Sequence, residues 1–328
     1  MPLRYLVTGC AGFIAARTVE RLLDEGHEVV GLDNLNDAYS PLLKRWRLDR
    51  LRAQPNFQFH AIDLSDVGQL AEFGGTHRPS EPYAAVLHLA ARSGVRASVA
   101  NPQAYLATNV VGTQNMLDFC RDQRVGKLVL ASSSSVYGSA SRIPYREEAD
   151  ISLPASPYAA SKVGAEVLSH AAHVVHGLDV SVLRFFTVYG PAGRPDMSVY
   201  RFMRAIDSGQ PLTVYGDGSQ SRDFTFVDDI ASGVLAALRP VGYRTFNLGG
   251  DAPSSVRELI QQLEKILGKP AQVIHEAPHP ADVPATWACI DRARRELDWA
   301  PKVTIDEGLQ QTFAWYQQER DWAKAIEN

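Results

Sequence analysis

The sequence predicts an α/β fold: a doubly wound parallel sheet joined to a smaller mixed α/β lobe. Three observations carry this expectation. Short apolar segments alternate with helical ones from Leu3 to Phe186, as parallel strands with crossover connections require. The first of them runs into a glycine loop, Gly9-Cys-Ala-Gly12-Phe-Ile-Ala15, that opens a helix. After Thr187 the alternation loosens, and Tyr189-Gly-Pro191 and Gly193-Arg-Pro195 break the chain as a domain edge would. The expected division is 1–186 for the sheet domain, with 228–250 returning to it, and 187–227 plus 251–328 for the lobe.

Leu3–Thr8 reads as the first strand, followed by a helix to about Glu25 that Gly26 ends, and by a second strand, Glu28–Asp33. Strand, glycine loop, helix and a strand ending in an acid form the context of a dinucleotide-binding, Rossmann-type fingerprint. Its glycines let the backbone approach a pyrophosphate at a helix N-terminus, whose free N–H groups attract anions. Asp33, 24 residues after Gly9, is placed to accept hydrogen bonds from an adenosine ribose. Its carboxylate would repel a 2′-phosphate, so NAD is expected rather than NADP. Ala15 at the third glycine position is small enough to keep the helix close to the strand.

Pro41–Ala53 reads as a basic amphipathic helix, with Lys44, Arg45, Arg47, Arg50 and Arg52 as a solvated face. A third strand is expected over Phe57–Leu64 and a fourth over Ala85–Ala90, followed by Ala91-Arg-Ser-Gly94 at a carboxyl end, where ligands sit in open α/β sheets. Asn101–Gln123 reads as one long helix carrying Asn109, Lys127–Ala131 as the fifth strand and Asp179–Phe186 as the sixth. The second half carries helices over Ser198–Ser208, Asp229–Arg239, Ser254–Gly268 (capped by Ser254) and Asp306–Arg320, with strands at Leu212–Tyr215 and Thr245–Gly249. A proline-rich loop holds Pro278, Pro280 and Pro284.

The chemistry centres on the stretch from Leu130 to Lys162. The fifth strand spills into four hydroxyls, Ser132 to Ser135, and Ser156-Pro157-Tyr158 reads as a capped helix start with proline at the first helical position. Tyr158 and Lys162 then share one helical face. Tyrosine ordinarily loses its proton near pH ~10. A lysine cation beside it, with a positively charged nicotinamide, favours the phenolate and makes it a base at neutrality. A serine at the end of the neighbouring strand would hold the hydroxyl that Tyr158 deprotonates. Tyr-x-x-x-Lys alone is more often a solvated helix face; the serine run and the glycine-rich start single this pair out.

Composition excludes other classes. Hydrophobic residues make up 45% and charged ones 21%, ordinary for a soluble enzyme. A formal charge of -4 argues against nucleic acid or an acidic membrane surface as partner. No apolar run reaches the roughly 20 residues of a membrane span. The first strand begins at Leu3, leaving no room for a signal peptide, so a cytoplasmic home is expected. Cys10, Cys120 and Cys289 lack any metal or disulfide spacing. His170, His173 and His176 lie three apart on a helix, but no accompanying carboxylate or cysteine has ligand spacing, so no metal is expected.

The motifs Leu32-Asp-Asn-Leu-Asn-Asp37, Ala131-Ser-Ser-Ser-Ser-Val-Tyr-Gly138, Tyr158-x-x-x-Lys162 and Arg184-Phe-Phe-Thr-Val-Tyr-Gly-Pro191 with Gly193-Arg-Pro-Asp-Met197 carry a resemblance over almost the full length. The chain resembles extended short-chain dehydrogenases/reductases of the nucleotide-sugar epimerase type, and within them UDP-glucuronate 4-epimerases. It departs from their pattern at Ala15 and Ala281, where glycine is usual, and at Cys289, where aspartate is usual.

The resemblance implies that Tyr158 takes the proton of the sugar 4-hydroxyl while C4 gives hydride to NAD, that Lys162 lowers the tyrosine pKa and binds the nicotinamide ribose, and that Ser133 and Ser135 hold O4. The 4-keto sugar then turns over and takes the hydride back on its other face. It implies that Gly9, Gly12, Phe13, Ile14, Asp33, Asn34, Asp63, Leu64, Leu89, Ala90 and Asn109 hold NAD, that Arg222 and Arg201 meet the diphosphate of a UDP-sugar, and that the chain forms a homodimer through the helices at Asn101–Gln123 and Pro157–His176. A 4-keto-uronate is a β-keto acid that tends to lose CO2, and Arg194 and Thr187 are the candidates for gripping its carboxylate. The alternatives are a UDP-glucuronate decarboxylase, which usually carries asparagine where Thr187 stands; a neutral UDP-sugar 4-epimerase; a 4,6-dehydratase, which needs an acid/base carboxylate pair where this chain has Ser134-Ser135; and, from another class, a non-catalytic NAD-binding sensor or scaffold, which would not need Tyr158 and Lys162.

Overall fold

The structure is a computed structural model that describes residues 1–77, 82–139, 142–278 and 282–326. Pro280 and Ala281 lie outside the described residues. Six strands alternate with helices: β1 (Arg4–Thr8), β2 (Glu28–Asp33), β3 (Phe57–Ala61), β4 (Ala85–His88), β5 (Lys127–Ser133) and β6 (Asp179–Phe185). The short strands β7 (Thr187–Tyr189), β8 (Leu212–Tyr215), β9 (Ser221–Arg222) and β10 (Phe224–Phe226) follow, then β11 (Tyr243–Leu248), β12 (Ser254–Ser255) and β13 (Val273–Glu276). One parallel sheet of seven strands has the order β3-β2-β1-β4-β5-β6-β11.

Successive strand residues point to opposite faces of the sheet, and both faces are covered. Tyr5, Val7, Leu87, Val129 and Leu183 face one core with Val19 and Leu22 of the Phe13–Asp24 helix and Ile230 and Val234 of the Val227–Ala236 helix. Leu6, Val86, Leu128 and Val182 face the other, with Met116 and Leu117 from one helix and Ala165 and Ala172 from another. Ala288, Ile290, Ala293, Leu297 and Trp299, from the stretch assigned to the lobe by sequence, pack into the first of these cores. The lobe has its own core of Phe202, Met203, Ile206, Leu259, Leu263, Trp315 and Tyr316.

Asp223 stitches the two parts together. It is wholly buried, and its carboxylate accepts from the backbone N–H groups of Gly250 at 2.6 Å, Ala288 at 2.8 Å and Asp251 at 3.2 Å. Its carbonyl takes the N–H of Thr187 at 3.0 Å. Burial pushes its carboxyl up to about 6 against these hydrogen bonds.

Several expectations are corrected. The third strand ends at Ala61, because the chain turns at Asp63, whose carboxylate takes the N–H and hydroxyl of Ser65. The helix expected over 101–123 is broken: Pro102–Tyr105 is α-helical, Leu106–Val111 is π-helical, and the α-helix resumes at Gly112. Ser255, not Ser254, caps the Val256–Leu267 helix, because Glu258 three residues on completes a capping box. Lys44 and Arg47 of the basic helix are not solvated but buried at 5% and 3% exposure. Arg47 donates through its two terminal nitrogens to the carbonyls of Ala11 and Ala192 and to Tyr39 Oη, which offsets much of the cost of burying it. His170 and His173 pack on the ring of Tyr243. Among the described residues no group of side chains could hold a metal, and no helix is long and apolar enough to cross a membrane.

The end of the described chain is pinned by Asp207, whose buried carboxylate meets Arg320 at 2.6 Å, Lys269 at 2.9 Å and Lys324 at 3.2 Å. Burial alone would raise its carboxyl; the three cations override that and hold it well below the usual carboxylate range. A depressed carboxyl stabilises the fold above its unfolded value and loses that contribution as pH falls through about 4 and below. Acidification is therefore expected to release the Arg320–Ala323 helix and the Trp322 ring that packs on Trp315 and Trp46, read as a tryptophan fluorescence change that Asp207→Asn shows already at neutral pH.

Candidate active site

The sheet order runs outward in both directions from β1 and β4, so the crossovers after these neighbours leave toward opposite faces and part at the carboxyl ends. A cavity occupies that gap. Its floor is the glycine loop. Gly9 has φ +70°, and a Cβ there would lie 2.7 Å from the Ala90 Cα, so only glycine lets the loop touch the end of β4. A Cβ on Gly12 would meet the Gly9 carbonyl at 2.8 Å. The loop thereby opens the Phe13–Asp24 helix with its first N–H groups toward the cavity, a cradle shaped for a pyrophosphate.

One end of the cavity is lined by Asp33, Asn34, Asp63 and Leu64 beside Phe13 and Ile14, and Leu89 and Ala90 form a wall. Asp33 is pre-oriented: its carboxylate accepts from Leu35 N at 2.7 Å and Ala11 N at 3.2 Å, and Lys44 Nζ stands 3.8 Å away. Asp63 accepts from Asn34 Nδ2 at 2.9 Å. Burial raises the Asp63 carboxyl, but the hydrogen bonds of Ser65 and Asn34 hold it below its ordinary value. An anionic, hydrogen-bond-accepting end suits the hydroxyls of a ribose and disfavours a phosphate. Asn109 does not line the cavity; it sits behind the wall, bonded to both backbone groups of Arg92 and to Ser161 Oγ.

At the other end stand Tyr158, Lys162, Ser133, Ser135, Thr187 and Arg194. Ser156 caps the Pro157–His176 helix and Pro157 fills its first position, as the sequence indicates. Tyr158 and Lys162 are 8% and 4% exposed. Burial raises the Tyr158 phenol above its ordinary value, while a hydrogen bond with Ser133 and the nearby Arg194 charge act against that rise. Burial likewise lowers Lys162 to about 8, opposed by the Glu166 charge. The Lys162 ammonium donates to the Ala131 carbonyl at 2.9 Å, and Ser133 Oγ lies 3.2 Å from Ser135 Oγ. Together these groups form a phenol, an ammonium and two hydroxyls on a single wall, beside a dinucleotide cradle.

Thr187 begins β7 and Arg194 reaches the cavity across the lobe's first turn. The Arg194 fork is held by Asp196 at 2.6 and 3.0 Å and by the Ser93 carbonyl at 3.3 Å. Arg201 and Arg222 do not line this cavity. Arg222 lies instead near Asp282 and Arg96, and Arg96 pairs with Asp282 at 2.5 Å over the ring of Tyr215. Sequence reading missed Asn36, Tyr39 and Lys44, which line the anionic end. The signal for Lys44 was hidden in a helix that reads as solvated.

The chain matches the family described as GDP-mannose 4,6 dehydratase over residues 6–312. It is 49% identical over 98% of both chains to a UDP-glucuronate 4-epimerase of Thermodesulfobacterium geofontis. Among solved structures, the UDP-glucuronic acid 4-epimerase of Bacillus cereus in complex with UDP-glucuronic acid and NAD superposes with a TM-score of 0.89 at 34% identity, covering 96% of this chain and 99% of that one. A dTDP-glucose 4,6-dehydratase of Streptomyces venezuelae, with NAD bound, superposes at 0.88 with 33% identity over 98% of each chain. With a fingerprint cavity, a Tyr-x-x-x-Lys wall and a family match spanning nearly its whole length, this chain belongs to the GDP-mannose 4,6 dehydratase family of extended short-chain dehydrogenases/reductases.

Proposed function

We propose that this protein is an NAD-dependent isomerase that interconverts UDP-glucuronic acid and UDP-galacturonic acid by epimerisation at C4, with the carboxylate retained. The observation that carries the reading is the convergence of Tyr158, Lys162, Ser133 and Ser135 on one cavity with the glycine cradle. The substrate follows from the epimerase relatives, which match over nearly the full length. Bound NAD would supply a hydride acceptor that returns the same hydride. Tyr158 removes the 4-hydroxyl proton and later restores it, and Ser133 and Ser135 hold O4. Lys162, as an ammonium, favours the Tyr158 phenolate that burial disfavours. Gly9, Gly12, Phe13 and Ile14 would hold the pyrophosphate, and Asp33, Asn34, Asp63 and Leu64 the adenosine. Leu89 and Ala90 would wall the cofactor and Asn109 would support that wall from behind.

A dehydratase needs carboxylates next to the reacting carbons. Ser134 and Ser135 occupy that part of the chain, which favours epimerisation over elimination. The direct test is proton NMR of the purified protein with UDP-glucuronate: galacturonate signals are expected, and no product would remove the substrate assignment. Tyr158→Phe is expected to lower turnover by about 10²–10⁴-fold with NAD still bound.

We place the sugar carboxylate against Thr187 and Arg194, and the diphosphate toward Arg222 and Arg201, whose planar or flexible cations suit phosphate oxygens. Holding the carboxylate keeps its C–C bond from aligning with the C4 ketone. Arg194→Leu is therefore expected to raise the share of UDP-pentose and CO2 among the products; a lower rate with no pentose would move the carboxylate elsewhere.

Apolar side chains exposed on two neighbouring helical segments support a homodimer: Leu106 and Val111, with Val167, Val174 and Val175 on the tyrosine-bearing helix. Light scattering is expected to give twice the chain mass, and Val167→Asp with Val174→Asp the single mass. Three buried free thiols fit a cytoplasmic, reducing setting.

A further inference from the structure

Three consecutive residues at the end of β5 meet three consecutive turns of the Pro157–His176 helix. Ser133 bonds Tyr158, the Ala131 carbonyl takes the Lys162 ammonium, and Ser132 Oγ donates to Glu166 Oε1 at 2.5 Å. Residues 158, 162 and 166 are spaced by four, so they form one ridge of the helix. The first two rungs of this ladder are the groups assigned to chemistry above; the third has no part in that assignment.

Glu166 is 4% exposed and is held on every side. Arg184 of β6 clamps it as a fork, Nε to Oε1 at 3.0 Å and Nη2 to Oε2 at 2.7 Å. The same guanidinium donates to Tyr137 Oη at 3.0 Å, which donates to Asn247 of β11 at 2.6 Å. A buried ion pair is seldom retained for stability, since well-packed apolar residues do as well. This one lies directly behind the reactive wall. The charged and titratable groups around Lys162 are Tyr158 and Glu166 on its own helix and His88 on β4, with Arg184 of β6 beyond Glu166. His88 is a neutral neighbour: burial and the Lys162 charge hold it to about 3, and it bridges Thr8 and Thr113. Glu166, one helical turn on from Lys162, supplies the negative charge that acts on the ammonium without touching it.

We propose that Glu166 is a positioning residue of the site: through Ser132 and Arg184 it fixes the serine-bearing strand end against the helix, and its carboxylate keeps Lys162 in the ammonium form. It touches neither cofactor nor substrate. Removing its charge leaves Lys162 buried with a remote arginine and no nearby anion, so the lysine gives up its proton at lower pH and the ammonium-phenolate pair becomes scarcer.

This rests on the reading of Tyr158 and Lys162 given above, so the experiment needs a readout free of substrate. The near-ultraviolet phenolate band of NAD-loaded protein, taken as the difference from the Tyr158→Phe variant, follows Tyr158 across pH. In Glu166→Gln that band is expected to weaken near pH 8, and the alkaline limb of kcat on UDP-glucuronate to move down by about 1 pH unit with KM little changed. Glu166→Asp, which keeps the charge, should restore both. If Glu166→Gln does not fold, Glu166→Gln/Arg184→Gln, which leaves no unpaired buried charge, takes its place with the same expectation. A folded variant with an unaltered phenolate band and pH profile overturns the proposal and leaves Glu166 a structural ion pair. Absence of wild-type turnover on UDP-glucuronate would refute the substrate assignment instead, while the phenolate band still decides the role of Glu166.

Discussion

Everything in this molecule is arranged around the parting of two crossovers. Parallel strands deliver all their carboxyl ends to one edge, and between β1 and β4 the chain leaves in opposite directions. That leaves backbone N–H groups and strand ends facing an opening that the sheet itself cannot fill. The glycine loop brings the chain to within contact of Ala90 there, and the hydroxyls at the end of β5 arrive two strands from β1. The lobe closes over the same edge because β7 follows β6 after a single residue and Asp223 binds it to the backbone at 250, 251 and 288.

Burial sets the protonation problem that the wall must solve. An enclosed site strengthens electrostatics but disfavours both members of an ammonium-phenolate pair, and here burial raises Tyr158 and lowers Lys162. Burial alone therefore works against the phenolate and the ammonium together. Each partner has compensation from the protein: Ser133 and Arg194 for the phenolate, Glu166 for the ammonium. These supports come from a strand end, the lobe and the next turn of the same helix. The reactive pair therefore draws its support from the assembled fold, the lobe's Arg194 included.

The parts of the fold governed by local rules were legible in the chain. The short apolar strands, the glycine loop and the Ser156-Pro157 helix start follow from short-range sterics and patterning, and the structure has them close to the expected residues. What could not be read depends on tertiary partners. Arg47 looks solvated until two carbonyls from distant loops come to it, and nothing in its neighbours announces Ala192. The π-helical segment at Leu106–Val111 carries no composition that separates it from α-helix. Two signals were present but unread. Ser255-x-x-Glu258 is a capping box on its face, and Glu166 continues the four-residue spacing begun by Tyr158 and Lys162.

The buried cations of the basic helix show why the cofactor end and the lobe act as one unit. Arg47 bonds Ala11 in the glycine loop and Ala192 in the lobe's first turn, and its guanidinium lies over Phe13 and Tyr39. Lys44 and Arg194 also lie near the Tyr39 ring, so three cations gather around one aromatic ring between the ribose end and the sugar end. Such a cluster repels itself unless anions are interleaved, and Asp33 and Asp196 supply them. The cluster thus runs without a break from Asp33, where the ribose would sit, to the turn that holds Arg194. Because an epimerase regenerates its cofactor each cycle, a joint of this kind need not open between turnovers. It can hold the dinucleotide while the sugar, on the lobe side of the same arginines, comes and goes.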